Sequence, residues 1–253
     1  MPEISVLLCI LAGAATGGFV NGLAGFGTGL MSLGIWLQAM PTQSAVPIVA
    51  AMSVLSGVQS LWRTRRTLGG SSGRLLRFLL PALAGMPLGL FLLNWVEESV
   101  LKITIAMLML TYACFVLLRA KLPRFEKPHP VADGCVGLAS GILGGAASLS
   151  GVMCTMWCAL QPWTKFETSA VLRPFNVTVL TISMVSYAVQ GMYTLEVLTA
   201  TVVAVPATLV ASQLGLAVFR RISDTAFRRT LVGIMLTGGI LLIARECLPP
   251  GSL

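Results

Sequence analysis

The chain has 253 residues, 56% of them hydrophobic and 10% charged, with a mean hydropathy of +0.87. Soluble domains carry about 25% charged residues, so composition excludes a soluble globule, and recurring apolar runs of about 20 residues predict an all-α polytopic membrane protein. The net charge of +8 would suit a nucleic-acid partner in a soluble chain. Here the basic residues sit in short loops between apolar runs, so the partner they indicate is the lipid bilayer and not nucleic acid.

The N-terminus, MPEISVLL, lacks a basic region and a cleavage site, so no cleaved signal peptide is expected. Apolar segments follow at 4–39, 44–62, 74–93, 99–118, 131–160, 168–190, 196–219 and 226–245. Six have the length of one crossing; 4–39 and 131–160 do not. A single helix over 4–39 would be roughly 54 Å long, against a hydrocarbon core of ~30 Å. Both long segments carry a glycine-rich stretch near the middle: GGFVNGLAGFGTG from Gly17 to Gly29, and GILGGAASLSG from Gly141 to Gly151, about 123 residues later. Each is expected to be a pair of helical pieces that enters the membrane, breaks at the small residues and turns back.

Loop charge supports this. Arg63, Arg65, Arg66, Arg74 and Arg77 flank the loop after the second segment, Arg119, Lys121, Arg124 and Lys127 follow the fourth, and Arg220, Arg221, Arg228 and Arg229 surround the loop after the seventh. If the fifth segment crossed the membrane, Arg220 and Arg221 would fall outside, against the positive-inside rule. With both long segments re-entrant, all three basic loops lie inside and both termini outside, as in a bacterial-type inner membrane. Each half then has an odd number of crossings, so the second is inverted relative to the first. The predicted organisation is a first repeat at 1–121, a cytoplasmic linker at 122–130 and a second repeat at 131–253. Each repeat is a broken re-entrant helix pair plus three transmembrane helices, with Gly22 opposite Gly145 and Ser44 opposite Thr168 after a one-residue gap. Inverted repeats with discontinuous helices are a recurrent transporter architecture.

A broken membrane helix offers free N–H groups and the positive end of a dipole to an anion. The pieces starting near Gly27–Thr28 and Ser150–Gly151 would each present such an end. Gly25 and its neighbours allow close approach to the backbone, and Thr28, Ser148 and Ser150 add hydroxyl donors. Close helix packing through small residues is the alternative use of the same positions. Arg173, before Pro174 in an otherwise uncharged run, costs at least ~2.5–3.5 kcal/mol near the membrane centre. Its fork suits a sulfonate or sulfite; a snorkelling or structural arginine, paired with Glu167 or with helix-end carbonyls, is the alternative. Asn176, Thr178, Thr181, Asn21, Gln43, Ser44 and Gln59 are further polar candidates, while Trp36, Trp95 and Trp163 read as interface anchors. Cys154 and Cys158, one turn apart, read as small packing residues, and the single histidine, His129, as a loop residue. No cluster of acids or metal ligands lies in the core, so neither an enzyme nor a cofactor is expected. A coupled proton would enter on the anion or through Glu167; facilitated flux fits equally well.

At the glycine stretches the chain resembles the sulfite exporter TauE/SafE family, also called the toluene sulfonate uptake permease family. The resemblance rests on G-x-x-x-G-L-x-G-x-G-x-G from Gly18 to Gly29, on G-x-L-x-G from Gly141 to Gly145, and on Ala170, Leu172, Arg173 and Asn176 in the following helix. The run Ala146–Ser150 replaces the family's more glycine-rich second copy and adds two hydroxyls. The resemblance implies transport of small sulfur-containing anions: sulfite, sulfoacetate, other organosulfonates or thiosulfate. A carrier of another small anion such as a carboxylate, and a membrane subunit without transport of its own, are the rival readings. Selectivity is expected at the serine-richer second copy and Arg173.

Overall fold

The computed structural model describes residues 3–37, 39–64, 72–95 and 129–223, together with Phe125 and scattered positions between 97 and 114 and between 225 and 240. The segments 99–118 and 226–245, most of the 122–130 linker and the C-terminus lie largely or wholly outside the described residues. Among the described residues the chain is all helical: α1 Glu3–Ala24, α2 Thr28–Trp36, α3 Thr42–Thr64, α4 Ser72–Trp95, α5 Pro130–Ala147, α6 Gly151–Leu160, α7 Lys165–Val189 and α8 Leu195–Arg221. Six of them are long and apolar enough to cross a membrane, and α2 and α6 are not. Large apolar side chains such as Leu80, Phe91, Val202 and Val210 face outward from α4 and α8, which suits lipid rather than water.

Helix ends follow local chemistry. Thr164 and Glu167 form a capping box at the start of α7: the Thr164 hydroxyl accepts the Glu167 N–H at 3.3 Å, and the carboxylate accepts the Thr164 N–H at 3.0 Å. At the start of α8 the Thr194 hydroxyl accepts the Val197 N–H, with no reciprocal carboxylate, and α5 opens with Pro130 in its first turn. The two apolar breaks depend on left-handed backbone, at Gly25 (φ 82°) and Gly27 (φ 96°) in the first and at Ser148 (φ 56°) in the second. That conformation ends a right-handed helix.

Both broken segments double back on themselves. Trp36 Nε1 donates to the Cys9 carbonyl at 3.1 Å, and Ser32 Oγ donates to the Gly13 carbonyl at 2.8 Å, so α2 retraces the second half of α1. In the second hairpin Trp157 Nε1 donates to Asp133 Oδ1 at 2.7 Å, and the Phe125 N–H to the Leu160 carbonyl at 3.2 Å. The arms are unequal: the breaks come after 22 and 18 helical residues and leave short arms of 9 and 10. From Cys9 to Ala24 the first hairpin is about 22 Å deep, less than the hydrocarbon core. Trp36 is buried as the latch of this hairpin and is not the interface anchor expected from sequence.

The breaks and the helix starts keep one spacing. Helices α2, α3 and α4 begin 123 residues before α6, α7 and α8, and α1 ends 123 residues before α5, with no gap between Ser44 and Thr168 required. The packing exchanges partners between these two sets. Helix α1 lies along α8, where a Cβ on Gly18 would sit 2.5 Å from the Thr208 carbonyl oxygen and Gly22 meets Ser212. Helix α5 lies along α4, where Gly141 meets Ala82 and a Cβ on Gly145 would sit 2.6 Å from the Met86 carbonyl oxygen. Small residues let these backbones touch. Rising numbers on both members show that each pair runs parallel. At one end of the bundle Arg220 Nη2 donates to the Arg63 carbonyl at 3.1 Å, and Arg74 pairs with Glu167 at 3.3 Å. The end of α3, the starts of α4 and α7 and the end of α8 therefore meet there.

Candidate functional site

The two breaks meet tip to tip in the interior. Phe26 of the first hairpin packs on Gly151, and Leu149 of the second packs on Gly29. Beside this contact lie the starts of α2 and α6. Neither has a side-chain cap: Gly27 has no side chain to offer, and the Ser150 hydroxyl donates to Asn176 Oδ1 at 2.5 Å instead. A helix start leaves its first N–H groups without intrahelical partners, and here they point the positive end of each dipole toward the junction. The Thr28 hydroxyl, 1% exposed, has no partner among the described residues.

Arg173 belongs to the first tip. It is held in α7 with 1% exposure. Its Nη2 donates to the Gly22 carbonyl at 3.0 Å, Nη1 donates to Ser60 Oγ, and the guanidinium lies 5.1 Å from the centre of the Phe219 ring. The cation thus caps a carbonyl at the negative end of α1, which offsets part of its burial cost. Among the described residues Nε has no partner. It faces the break: a Cβ on Gly25 would stand 3.5 Å from Nε and 2.7 Å from Cγ. Gly25 is therefore glycine for two reasons, its positive φ and the arginine stem against it. Of the two structural partners expected, a helix-end carbonyl is met at Gly22, while Glu167 is taken by Arg74 and by the start of α7.

The second tip closes differently. Tyr187 Oη donates to the Gly145 carbonyl at 2.7 Å and the Gly144 carbonyl at 3.3 Å, and Ser183 Oγ also reaches Gly144, at 3.2 Å. Ser148 Oγ donates to the Val46 carbonyl at 3.1 Å. In the first tip Asn21 Nδ2 donates to Ser56 Oγ at 2.5 Å, and Asn21 Oδ1 is buried with no partner among the described residues.

Of the residues expected from sequence, Gly25, Gly27, Thr28, Ser148, Ser150 and Gly151 form the two breaks, and Asn21, Arg173 and Asn176 reach them from α1 and α7. Ser44 is half-buried in the first turn of α3, and no described hydrogen bond joins its side chain to either break. Gln43 is exposed, and Thr181 donates to the Val177 carbonyl within its own helix. Cys154 and Cys158 are buried in the packing of α6. Sequence reading missed Ser56, Ser60, Ser183, Tyr187, Phe26 and Leu149. Two pairs carried a signal, since Ser60 and Ser183, like Phe26 and Leu149, stand at the 123-residue spacing.

A comparison with curated proteins gave no match. A family model described as sulfite exporter TauE/SafE matches residues 9–242, nearly the whole chain. With its apolar helices and two broken segments, the chain belongs to the sulfite exporter TauE/SafE family of membrane transporters.

Proposed function

We propose that this protein is a secondary-type permease for small sulfur-containing anions: sulfite, sulfoacetate or another organosulfonate, or thiosulfate. The anion binds near the bilayer midplane between the two hairpin tips. The observation that carries this reading is the meeting of two helix starts without side-chain caps beside a buried Thr28 hydroxyl and the Arg173 Nε, both without partners among the described residues. N–H groups and a helix dipole replace an anion's hydration shell without a fixed counter-charge, so the anion is held yet able to leave. Gly25, Gly27, Gly151, Thr28, Ser148 and Ser150 shape the site, Arg173 supplies positive potential and one donor, and Asn21, Asn176 and Ser44 complete its polar rim.

Transport then proceeds by alternating access between two inverted halves, 1–121 and 131–253, joined through 122–130. The shared 123-residue spacing, the exchanged pairs α1–α8 and α4–α5, and the meeting of Arg63 with Arg220 support this arrangement. In this reading the basic loops lie inside a bacterial-type inner membrane and the termini outside, an orientation supported by the loop charges alone. A coupled proton would ride on the anion or enter through Glu167, at the basic end.

Purified protein in liposomes tests the reading. Flux or thermal stabilisation with sulfite or a sulfonate is the expected result; response to carboxylates alone would reassign the substrate, and response to no small anion would refute the permease. Cysteines placed near residues 70, 125 and 224 are expected to label from the inside, and labelling of the last from outside would refute the inverted arrangement.

A further inference from the structure

Each hairpin tip carries one large apolar side chain immediately before a helix N-cap, Phe26 before Gly27 and Leu149 before Ser150. Phe26 and Leu149 stand 123 residues apart, between the end of a long arm and the start of a short one. Both are almost wholly buried, at 1% and 3% exposure. Their contacts are reciprocal. Phe26 covers Gly151, the first residue of α6, where a Cβ would lie 2.9 Å from its Cγ. Leu149 covers Gly29, in the first turn of α2, where a Cβ would lie 2.7 Å from its Cδ2. Each hairpin thus closes the helix start of the other with hydrocarbon. Next to Gly29 along the chain, the buried Thr28 hydroxyl has no partner among the described residues, although a buried hydroxyl normally finds one.

We propose that Phe26 and Leu149 are the gate and the size filter of the permeation path. The inference rests on the reading that an anion binds between the tips. An apolar lid over N–H groups keeps out water and ions, as hydrophobic constrictions do in channels. An anion reaches the helix starts only when the tips part and the two side chains swing away from the glycines. Glycine is required at 29 and 151 because any side chain there would meet a closed lid. When a sulfonate is bound, its oxygens face the N–H groups and its organic group meets Phe26 and Leu149. The volume of these two side chains therefore limits the largest organic group that passes.

The test uses the full chain in liposomes with two readouts. The first is labelling of Thr28→Cys by a negatively charged methanethiosulfonate, followed by mass spectrometry of the peptide holding residue 28. The second is entry of methanesulfonate, ethanesulfonate and benzenesulfonate. Replacing Phe26→Ala and Leu149→Ala together is expected to speed labelling by about tenfold or more, a shift toward the open tip, and to admit benzenesulfonate relative to methanesulfonate. Phe26→Leu, which keeps an apolar lid of smaller volume, is expected to fall between; it decides the matter if thermal melts show the alanine variants unfolded. Unchanged labelling and an unchanged size limit in folded variants overturn the gate. If no sulfonate enters the unmodified protein while labelling still rises, the gate stands and the sulfur-anion reading falls.

Discussion

The two hairpin tips share a spacing and a shape, yet they are closed by opposite chemistry. At the first, the carbonyl of Gly22 is capped by the Arg173 cation, and Asn21 Oδ1, Thr28 Oγ and Arg173 Nε have no partners among the described residues. At the second, the carbonyls of Gly144 and Gly145 are capped by neutral hydroxyls of Ser183 and Tyr187, and Ser148 and Ser150 are both engaged. A negative helix end accepts either partner, but only a cation adds potential for a passing anion. The second tip is fastened; the first holds the unused hydrogen-bonding capacity. Selectivity is expected from sequence at the serine-rich second copy and Arg173; since Arg173 contacts Gly22 and Gly25, we propose that its share of the selectivity acts at the glycine-rich first tip.

The comparison breaks most severely at the arginine. Arg173→Ala leaves the buried Gly22 carbonyl without its donor and a void where the side chain packed, a loss of about 2–4 kcal/mol, and anion binding is expected to vanish. Thermal unfolding and anion binding of Arg173→Lys separate these roles, because lysine keeps the charge but not the fork. Gly25→Ala follows, at about 1–3 kcal/mol, since a Cβ meets both a positive φ and the arginine stem. Tyr187→Phe removes hydroxyl donation from the neutral tip and should cost about 1–3 kcal/mol of stability, with anion affinity retained in the fraction that folds. Equal loss of affinity in Tyr187→Phe and Arg173→Lys would erase the distinction between the tips. Ser148→Gly is expected to be nearly neutral: glycine relieves the left-handed strain but gives up the bond to Val46, each worth roughly 1 kcal/mol.

Much of the frame was legible in sequence because length and charge act globally. A 4–39 segment too long for one crossing demanded a break, and the position of Arg220 demanded that the fifth segment return. Side-chain partners were not legible in this way. Arg173 lies near the second glycine stretch in sequence but reaches the first in space, since α7 crosses α3 and brings Ser60 and Gly22 within range. Trp36 looked like an interface anchor until the fold back of α2 placed Cys9 beside its ring nitrogen. The hydroxyls of Ser183 and Tyr187 carried no motif, because their role is set by carbonyls released on another helix.

The central claim, an anion held at the first tip, meets its most direct test in Thr28→Val, which removes the unpartnered hydroxyl while keeping the shape of the side chain. Without anion, the variant should be as stable as the unmodified protein or slightly more so, because no internal hydrogen bond is lost. Affinity for sulfite or a small sulfonate should fall about tenfold, the worth of one hydrogen bond to a charged ligand. Unchanged affinity in a folded Thr28→Val protein would contradict the account.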